Sequence, residues 1–580
     1  MRHSQETHQP KLFIIGLDGA TLDLMKPWAA AGKLPTFMRL LHEGVHGDLT
    51  STIPPVTAPA WTSFMTGKNP GKHGLYNFIE PQPKSYEVRY TNARSRLAKS
   101  IWQIFSESGI SVGVINVPMT YPPEPVNGYM LSGRDGPEDS TAVTYPQELY
   151  QELDEKFGKV SQQLHYLGYL KTDQRREAVL KSLEEMDDHY FRVTDYLLKT
   201  HPVDVVMVVF TSVDTVQHFF WQYMDRQHPQ HTADGAAKYA GAILQVYQRI
   251  DDIVGRLTGA LSEDTIVILM SDHGFHPTSA RIIRLNRYLA DLGLLKLHDT
   301  GQRWYYPRTL LHATVTRLDT VVRGTLTPRQ KAKVSQLFPQ LRKKWESHYT
   351  GLSSIDWAET RAYCYEFLTF PSCIWINVKG LRPHGIVNPG VEYEQVMHFI
   401  IDKLYELQDP VTGKQLISRI YRKEEVYRGR HLDQAPDLTL ASWEGVTFLG
   451  KSSFTDNGHQ AVVEYAGGKP VAGGEWGGTH SLRGIVVLRG KPFQAGKQLE
   501  GAEIIDVAPT LLHLLGLPIP EDMDGRVLHG AFKPAFAAAH SVVTRRDGDC
   551  EREEYIQEQT YSDEEAVKVE ERLRGLGYIE

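Results

Sequence analysis

The sequence predicts an α/β fold, with a mixed and mostly parallel central sheet, helices on both of its faces and a helical insert. Three apolar runs predict buried parallel strands, because each run is continuous and ends at an acidic residue. The runs are KLFIIGLDG, VDVVMVVFTSVD and DTIVILMSDHGF. Helical patterns separate them, as in SRLAKSIWQIFSESG and KYAGAILQVYQRIDDIVGRL. This alternation of strands and helices is typical of a sheet covered by helices on both faces.

The acidic residues at the strand ends predict where a functional site lies. Asp18 follows the first apolar run, Asp214 ends the second, and Asp272 follows the third. In α/β sheets a functional site lies beyond the carboxyl ends of the strands. We therefore expect these three carboxylates at one edge of the sheet.

The chain divides into a discontinuous core and two additional segments. Residues 1–299 and 376–530 carry the strand and helix patterns of the core. Residues 300–375 are basic and helical in pattern, without a strand that ends at an acid, and predict an inserted helical segment or lid. Residues 531–580 form a charged tail that ends in a helical pattern, with Ser562 at the N-cap and acids in the first turn.

The composition argues against several classes of protein. The net charge of the 580-residue chain is -7 and no basic run stands out, which argues against nucleic acid as the main partner. The three cysteines lack CxxC spacing, so neither a disulfide framework nor a thiolate metal site is predicted. The apolar run near the N-terminus is too short for a signal peptide, and no run of about eighteen apolar residues predicts a membrane span. We therefore expect a soluble, cytoplasmic protein, and the sequence leaves its oligomeric state open.

Acidic and histidine residues near the strand ends have the types and spacing of metal ligands. Asp214 and His218 are four residues apart, which places them on one face of a helical turn, although such a pair is also common on protein surfaces. Asp272 and His273 stand at a strand end before a glycine, where an ordinary turn is the alternative. His480 lies in the glycine-rich GGTHS, where a solvated loop histidine is the alternative.

Taken together, these candidates predict a metal centre. With Asp18 they offer carboxylates and imidazoles and no thiolate, which is the ligand mixture of zinc or manganese. Six such ligands and a bridging hydroxyl would hold two cations about 4 Å apart, an arrangement that stabilises the attacking and leaving oxygens in phosphoryl transfer. The predicted ligands are Asp18, Asp214, His218, Asp272, His273 and His480.

As an ordered set, the motifs resemble the alkaline phosphatase superfamily, and within it the type I phosphodiesterase and nucleotide pyrophosphatase branch. The set spans about residues 11–530 and reads GLDG, TAPAWTSFMTG, VDTVQH, SDHGF, GTHS and IIDVAPTLLHLLGLP. The resemblance implies an alkaline phosphatase-like mixed sheet between helices. It also implies two divalent cations, zinc or alternatively manganese, beside a Thr or Ser nucleophile.

The resemblance assigns the nucleophile to Thr57, which from the residues alone could equally belong to a turn or an N-cap. Its alkoxide would attack a phosphoryl group in line and give a phosphothreonine intermediate. Water activated at the second metal would then release the phosphoryl group, so that the configuration at phosphorus is retained overall. Two ligand sets are implied: Thr57, Asp18, Asp272 and His273 around one cation, and Asp214, His218 and His480 around the other.

The sequence departs from that branch at one position. The branch commonly reads Thr-x-Pro-Asn, where the Asn donates to a phosphate oxygen, whereas this chain has Ala60 in TAPAWT. Candidate replacements are the backbone N–H of Ala58, the side chain of Asn116 in VINVPMTYPP and that of Arg134 in SGRDG. A turn or capping role is the alternative for the two side chains. The departure leaves the choice of substrate open.

The predicted function is metal-dependent hydrolysis of phosphodiester or pyrophosphate bonds in a small-molecule phosphate ester or nucleotide-like substrate. The same core could instead serve a phosphomonoesterase or a phosphomutase. A non-catalytic scaffold that retains the fold is a further alternative, although the filled ligand positions favour an enzyme. Sulfatase chemistry is disfavoured. The related sulfatases use a formylglycine made from the Cys or Ser of a C/S-x-P-x-R motif, and TAPAWT lacks both that residue and that motif.

Overall fold

The structure, a computed structural model, describes residues 9–82, 84–137, 140–158, 172–298, 352–366, 372–450, 453, 461–466, 476–546 and 561–575. The strands are β1 (Leu12–Leu17), β2 (Val45–Thr50), β3 (Ile79–Pro81), β4 (Val88–Tyr90), β5 (Val112–Val117), β6 (Gly128–Ser132), β7 (Thr144–Tyr145), β8 (Val205–Phe210), β9 (Ile266–Met270), β10 (Gly274–Pro277), β11 (Arg281–Ile283), β12 (Ala362–Tyr363), β13 (Cys373–Ile376), β14 (Ile420–Arg422), β15 (Leu438–Leu440), β16 (Phe448–Gly450), β17 (Val463–Tyr465), β18 (Gly478–Ser481), β19 (Arg483–Arg489), β20 (Gln498–Glu503), β21 (Ile519–Pro520) and β22 (Thr544–Arg545).

The helices are α1 (Leu22–Ala30), α2 (Pro35–Glu43), α3 (Thr57–Thr66), α4 (Pro70–His73), α5 (Ile101–Glu107), α6 (Glu148–Phe157), α7 (Asp173–Thr200), α8 (Ser212–Met224), α9 (Ala233–Tyr239), α10 (Ala242–Gly259), α11 (Leu285–Asp291), α12 (Val391–Tyr405), α13 (Lys423–Val426), α14 (Val507–Leu514), α15 (Pro534–Ala539) and α16 (Asp563–Gly575).

A nine-stranded sheet forms the centre of the fold, with the strand order β20-β2-β19-β9-β1-β8-β5-β6-β7. The middle of the sheet, from β9 through β1, β8 and β5 to β6, is parallel throughout. β19 is antiparallel to both of its neighbours, and β7 is antiparallel to β6. The predicted fold class is confirmed, because the sheet is mixed and mostly parallel and carries helices on both faces.

Alternating side chains of the central strands supply two hydrophobic cores. In β1, Phe13 and Ile15 join the core formed with α1, α2, α7, α8 and α10, whereas Leu12 and Ile14 join the core formed with α3, α5 and α14. All residues of β1 are buried. A strand that is covered by helices on both faces needs apolar residues at every position, so the continuous apolar run in the sequence predicts β1.

A buried carboxyl group lies in the helical layer of the first core. Asp187 of α7 is fully buried, and its two carboxylate oxygens have no hydrogen-bond partner among the described residues. The guanidinium of Arg249 on α10 lies 3.9 Å from Oδ2. Burial raises the pKa of Asp187 to about 7, although the Arg249 guanidinium acts in the opposite direction.

Asp187→Asn is expected to stabilise the protein above neutral pH and to have little effect in acid. The pKa of Asp187 is raised from 3.8 to about 7 in the folded state. The carboxyl therefore contributes to the free energy of unfolding in full below pH 3.8, and this contribution is lost as the pH rises through about 7. The neutral amide avoids this loss, which amounts to at most about 4 kcal/mol. Thermal unfolding of both proteins across this pH range measures the difference. A difference in Tm that does not change with pH would contradict a raised pKa for Asp187.

Most of the predicted helical insert over 300–375 lies outside the described residues, which leave out 299–351. The described end of that range contains a 3-10 turn at Leu352–Ser354 and the strands β12 and β13. These strands are extended because antiparallel partners complete their hydrogen bonds, in a four-stranded sheet of order β12-β13-β15-β14. The division of the chain into core, insert and tail stays a prediction.

The C-terminal tail docks on the core through α16 and the residue before its cap. Ser562 caps the helix as predicted: its N–H donates to Glu565 Oε2 at 2.9 Å, and its Oγ accepts from the Glu565 N–H at 3.4 Å. The Tyr561 ring stacks on Tyr121, with centroids 6.2 Å apart. The Tyr561 hydroxyl also donates to the carbonyl oxygen of Asp135 at 2.9 Å. The tail therefore packs against the loops that follow β5 and β6.

Two predictions from composition can be compared with the described residues. Within the ranges given above, no helix combines the length and the apolar character needed to cross a lipid bilayer. Cys364 and Cys373 are buried free thiols. Cys550 lies outside the described residues. The cytoplasmic location stays a prediction.

Candidate active site and metal centre

The carboxyl ends of three adjacent strands meet at the candidate site. β1 lies between β8 and β9 and is parallel to both. Asp18 directly follows β1, and Asp272 lies two residues beyond the end of β9. Asp214 is in the first turn of α8, which begins just after β8. The topology thus brings the three predicted carboxylates to one edge of the sheet.

Helix α8 presents two of the predicted ligands on one face, as their spacing of four residues predicts. Asp214 Oδ1 lies 3.4 Å from His218 Nε2 and 3.3 Å from His480 Nε2. The two histidine Nε2 atoms are 3.0 Å apart. We call Asp214, His218 and His480 the α8 group.

The remaining predicted ligands form a second set around His273. The Nε2 atom of His273 lies 3.6 Å from Asp18 Oδ1 and 3.3 Å from Asp272 Oδ2. Thr57 Oγ1 lies 3.2 Å from the same nitrogen. We call Asp18, Thr57, Asp272 and His273 the β1 group. The two groups are contiguous, because the His273 and His480 rings stack with centroids 3.6 Å apart.

A close backbone approach explains the glycine that follows His273. β10 begins at Gly274 and pairs antiparallel with β18, so that Phe275 lies opposite His480. A Cβ atom at Gly274 would lie 2.0 Å from the carbonyl oxygen of Arg483, which only glycine avoids. This pairing joins the SDHGF corner to the glycine-rich GTHS segment and brings His480 to the site.

Backbone carbonyls set the tautomers of the three histidines. In each ring Nδ1 is the atom that bonds a carbonyl oxygen, and assigning the proton to Nδ1 leaves the Nε2 lone pair directed toward the carboxylates. A second hydrogen bond of this kind is typical of histidines that bind a metal. The pairs are His218 with Gly478 at 3.0 Å, His273 with Gly274 at 3.2 Å and His480 with Pro55 at 2.8 Å.

Buried acceptor atoms without donors face one another in the centre of the cluster. Asp18 Oδ1, Asp214 Oδ1 and Asp272 Oδ2 are buried and have no hydrogen-bond partner within the described part of the chain. Acceptors that face other acceptors are unfavourable unless a cation lies between them. The residues present therefore fit divalent cations. Two sets of ligand atoms each lie within 4.8 Å of one another: Asp214, His273 and His480, and Asp18, Asp272 and His273.

Burial and repulsion between the carboxylates shift their pKa values. Burial, followed by the charges of Asp272 and Asp214, raises the pKa of Asp18 well above its ordinary range. Burial and Asp214 raise the pKa of Asp272 in the same way. For Asp214 burial is outweighed by the imidazoles of the α8 group, so its pKa is lowered. Burial also lowers the pKa of His273 and of His480, which favours the neutral rings that bind metals.

Thr57 is the first residue of α3 and is buried against the site. The preceding residue, Val56, occupies the N-cap position, and no side chain caps this helix. Thr57 is therefore not an N-cap, and its hydroxyl faces His273. Because the first N–H groups of a helix have no intrahelical acceptor, the start of α3 also offers backbone donors at this edge of the sheet.

Aromatic residues that the sequence analysis did not assign contact two of the candidate ligands. Trp61 of α3 is fully buried, and its Nε1–H donates to Asp18 Oδ2 at 3.3 Å. The Trp476 ring lies 4.0 Å from the His218 ring, and the Phe275 ring lies 4.7 Å from it. Tryptophan close to a motif predicts only packing, so the sequence offers no signal for these contacts.

The predicted substrate-binding residues lie at the carboxyl ends of two neighbouring parallel strands, β5 and β6. Asn116 forms a bulge near the end of β5, with a φ of 56°, and its Nδ2–H donates to the carbonyl oxygen of Val209 at 2.8 Å. Arg134, just after β6, contacts the sulfur of Met186. Both side chains are buried, and their assignment to substrate binding stays a prediction. Ala60 is fully buried in α3 and contributes packing without a side-chain donor.

Residues 12–467 match the sequence profile of the family described as type I phosphodiesterase / nucleotide pyrophosphatase. A segment of 58 residues is 47% identical to 2,3-bisphosphoglycerate-independent phosphoglycerate mutase of Cereibacter sphaeroides. That segment is 9% of this chain and 11% of the mutase, so the match spans about a tenth of this curated relative.

Two solved structures are similar over most of the chain. Murine ectonucleotide pyrophosphatase / phosphodiesterase 5 has 14% sequence identity and a TM-score of 0.45, and the match covers 87% of this chain and 95% of the murine chain. Phosphonoacetate hydrolase from Sinorhizobium meliloti 1021, in complex with phosphonoacetate, has 15% identity and a TM-score of 0.48. That match covers 87% of this chain and 95% of the hydrolase.

Proposed function

The chain belongs to the type I phosphodiesterase / nucleotide pyrophosphatase family of phosphoester hydrolases, and from that premise we propose that it cleaves phosphodiester or pyrophosphate bonds through a phosphothreonine at Thr57. One observation supports the proposal most. Thr57 Oγ1 lies 3.2 Å from His273 Nε2, beside a buried cluster of carboxylates and imidazoles whose oxygens include three without a partner among the described residues. A hydroxyl in this kind of surrounding can be activated as the nucleophile of phosphoryl transfer.

The two groups of residues would hold two divalent cations. The β1 group, which includes the Thr57 oxygen, would hold one cation and the α8 group the other. Cations bound there would lower the pKa of the Thr57 hydroxyl and of water, and would neutralise charge on the phosphoryl group. Carboxylates and neutral imidazoles suit zinc, with manganese as the alternative.

Helix α3 positions the Thr57 hydroxyl, and the proposed reaction consists of two successive displacements at phosphorus. Thr57 is fixed by the first turn of α3, and the same helix is tied to Asp18 by the Trp61 hydrogen bond. In the first step the Thr57 oxygen gives its proton to solvent and bonds to phosphorus, while the bond from phosphorus to the leaving-group oxygen breaks and that oxygen takes up a proton. In the second step water displaces the Thr57 oxygen, which regains a proton. Two in-line displacements return the original configuration at phosphorus.

The start of α3 supplies donors for the phosphoryl oxygens in this proposal. The N–H groups of Thr57 and Ala58 are in the first turn of a helix that no side chain caps. The N-terminal end of a helix favours an anion through its dipole and its unpaired N–H groups. The Ala58 N–H would therefore replace the side-chain donor that is absent at Ala60. Asn116 and Arg134 are the candidates for further contacts with the substrate.

Hydrolysis of bis-p-nitrophenyl phosphate and of p-nitrophenyl phosphate by protein loaded with zinc or manganese tests the proposal. We expect faster turnover of the diester, because a monoester dianion needs more charged donors than the start of α3 provides. Thr57→Ala is the control for contaminating phosphatases. Preference for the monoester would move the assignment to a phosphomonoesterase. No turnover with either metal would contradict the hydrolase and favour a scaffold.

A phosphomutase is the second candidate, and the local match to a phosphoglycerate mutase is the observation that favours it. A phosphothreonine can pass its phosphoryl group to another hydroxyl of the bound product instead of to water. Isomerisation of phosphoglycerate, followed in the presence of the same metals, separates the two activities. Isomerisation that is faster than release of inorganic phosphate would establish the mutase.

A further inference from the structure

A fully buried glutamine lies between α8 and the loop that follows β1. Gln217 directly precedes His218 in α8 and has no exposed surface. Its neighbours one turn away on the same helix, Val213 and Phe220, are fully buried apolar residues. A buried amide left without partners is unfavourable, so the bonds that this side chain makes indicate why a glutamine occupies the position.

The Gln217 amide connects α8 to the loop that follows β1. Its Nε2–H donates to the carbonyl oxygen of Gly19 at 2.9 Å. Its Oε1 accepts from the hydroxyl of Tyr247 on α10 at 3.3 Å, and that hydroxyl accepts from the N–H of Thr21 at 3.3 Å. Both ends of the amide are therefore tied to the loop of residues 18–21, one directly and the other through Tyr247.

The same loop carries one ligand and supports a second. Asp18 precedes Gly19, and the N–H of Gly19 donates to Asp272 Oδ1 at 3.2 Å. Gly19 has a φ of +69°, and a Cβ atom there would lie 3.3 Å from the Cα of Asp214. The loop thus passes directly against the first turn of α8. A shift of α8 along the loop would move the α8 group relative to the β1 group.

We infer that Gln217 is a positioning residue that sets the spacing between the α8 group and the β1 group by locking α8 to the loop of residues 18–21. Both polar atoms of its side chain are engaged by Gly19 and Tyr247, so it acts through the loop and is not itself a ligand. The inference rests on the proposed function, since it assumes that the two groups hold two cations. Removing a hydrogen bond that orients metal ligands typically lowers metal affinity by about 10- to 100-fold.

Gln217→Met tests the inference, because methionine has a similar length and fills the same space while removing both hydrogen bonds. In full-length protein titrated with Mn²⁺, we expect affinity for the second ion to fall by about 10- to 100-fold. We also expect the EPR spectrum to lose the spin coupling between two neighbouring Mn²⁺ ions. Both readouts are independent of turnover.

Gln222→Met is the matched control on the same helix. Gln222 is 5% exposed, and its Nε2–H donates to the carbonyl oxygen of Phe219 at 3.0 Å, within α8 itself. This variant should bind both ions and keep the coupled spectrum. If Gln217→Met does not fold, Gln217→Leu decides the same question, because leucine also removes both hydrogen bonds and is a smaller side chain.

The possible results separate the inference from the proposed function. Wild-type affinity for two ions and an unchanged coupled spectrum in the Gln217 variant would overturn the inference and leave the proposed function intact. Equal losses in the Gln217 and Gln222 variants would also overturn it, because the effect would then come from α8 packing in general. Failure of the wild-type protein to bind a second ion would overturn the proposed function, and the inference with it.

Discussion

Thr57→Ala is expected to lower kcat for a diester substrate by at least about 10³-fold, because it removes the group that forms the covalent intermediate. In saturating metal the amount of bound ion should change little, since the carboxylates and imidazoles of both groups remain. Steady-state kinetics and elemental analysis of the same preparation measure the two quantities. A loss of turnover with metal retained would separate a nucleophile from a residue that only maintains the metal centre.

Thr57→Ser is the matched control for this substitution. Serine keeps the hydroxyl at the first position of α3 and loses only the methyl group, so its kcat should stay within about tenfold of the wild-type value. A Thr57→Ala protein with kcat within about tenfold of wild type would show that another group, or water itself, attacks phosphorus.

Asp272→Asn is expected to have opposite effects on stability with and without metal. Asp272 is fully buried, and burial and the charge of Asp214 raise its pKa. The neutral amide relieves that repulsion while its oxygen can still accept from the Gly19 N–H. In chelator the variant should therefore be more stable by about 1–3 kcal/mol. With saturating zinc or manganese it should be less stable than wild type, because metal binding to the folded state stabilises only the protein that retains the site.

Thermal unfolding in chelator and in saturating metal measures this reversal, and Asp409→Asn is its control. Asp409 is also fully buried, but its two carboxylate oxygens accept from Arg281 at 3.2 and 3.0 Å. Replacing it removes one partner of a buried ion pair, so it should destabilise the protein in both conditions. If Asp272→Asn also lowered Tm equally in both conditions, the unpaired carboxylates of the site would not be metal ligands.

The strands and the clustering of the candidate ligands were predictable because each depends on a local sequence signal. A strand covered on both faces is a continuous apolar run, and the acid that ends it must lie at the carboxyl edge of a parallel sheet. Asp18 and Asp272 were placed in this way. His218 was placed by its helical spacing from Asp214. His480 had only a glycine-rich loop as its signal, and its position depends on the pairing of β18 with β10, which the sequence does not specify.

The supporting contacts were not predictable, because their partners are distant in sequence and are often backbone atoms. Gln217 bonds to Gly19, which lies 198 positions away, through a carbonyl oxygen that every residue type carries. Trp61 bonds to Asp18 across 43 positions. The bulge at Asn116 arises from a register shift between β5 and β6, and no residue pattern marks it. For Gln217 the sequence contains one signal. A glutamine between the apolar residues of VQHFFW needs a polar partner nearby if it is buried.

The stereochemical course at phosphorus distinguishes a phosphothreonine intermediate from direct attack by water. A phosphorothioate diester of known configuration would be cleaved by the metal-loaded protein in isotopically labelled water, and the configuration of the product would be determined. We predict retention, because attack by Thr57 and then by water gives two inversions. Net inversion would mean that water attacks the substrate in a single step, and it would contradict a phosphothreonine intermediate.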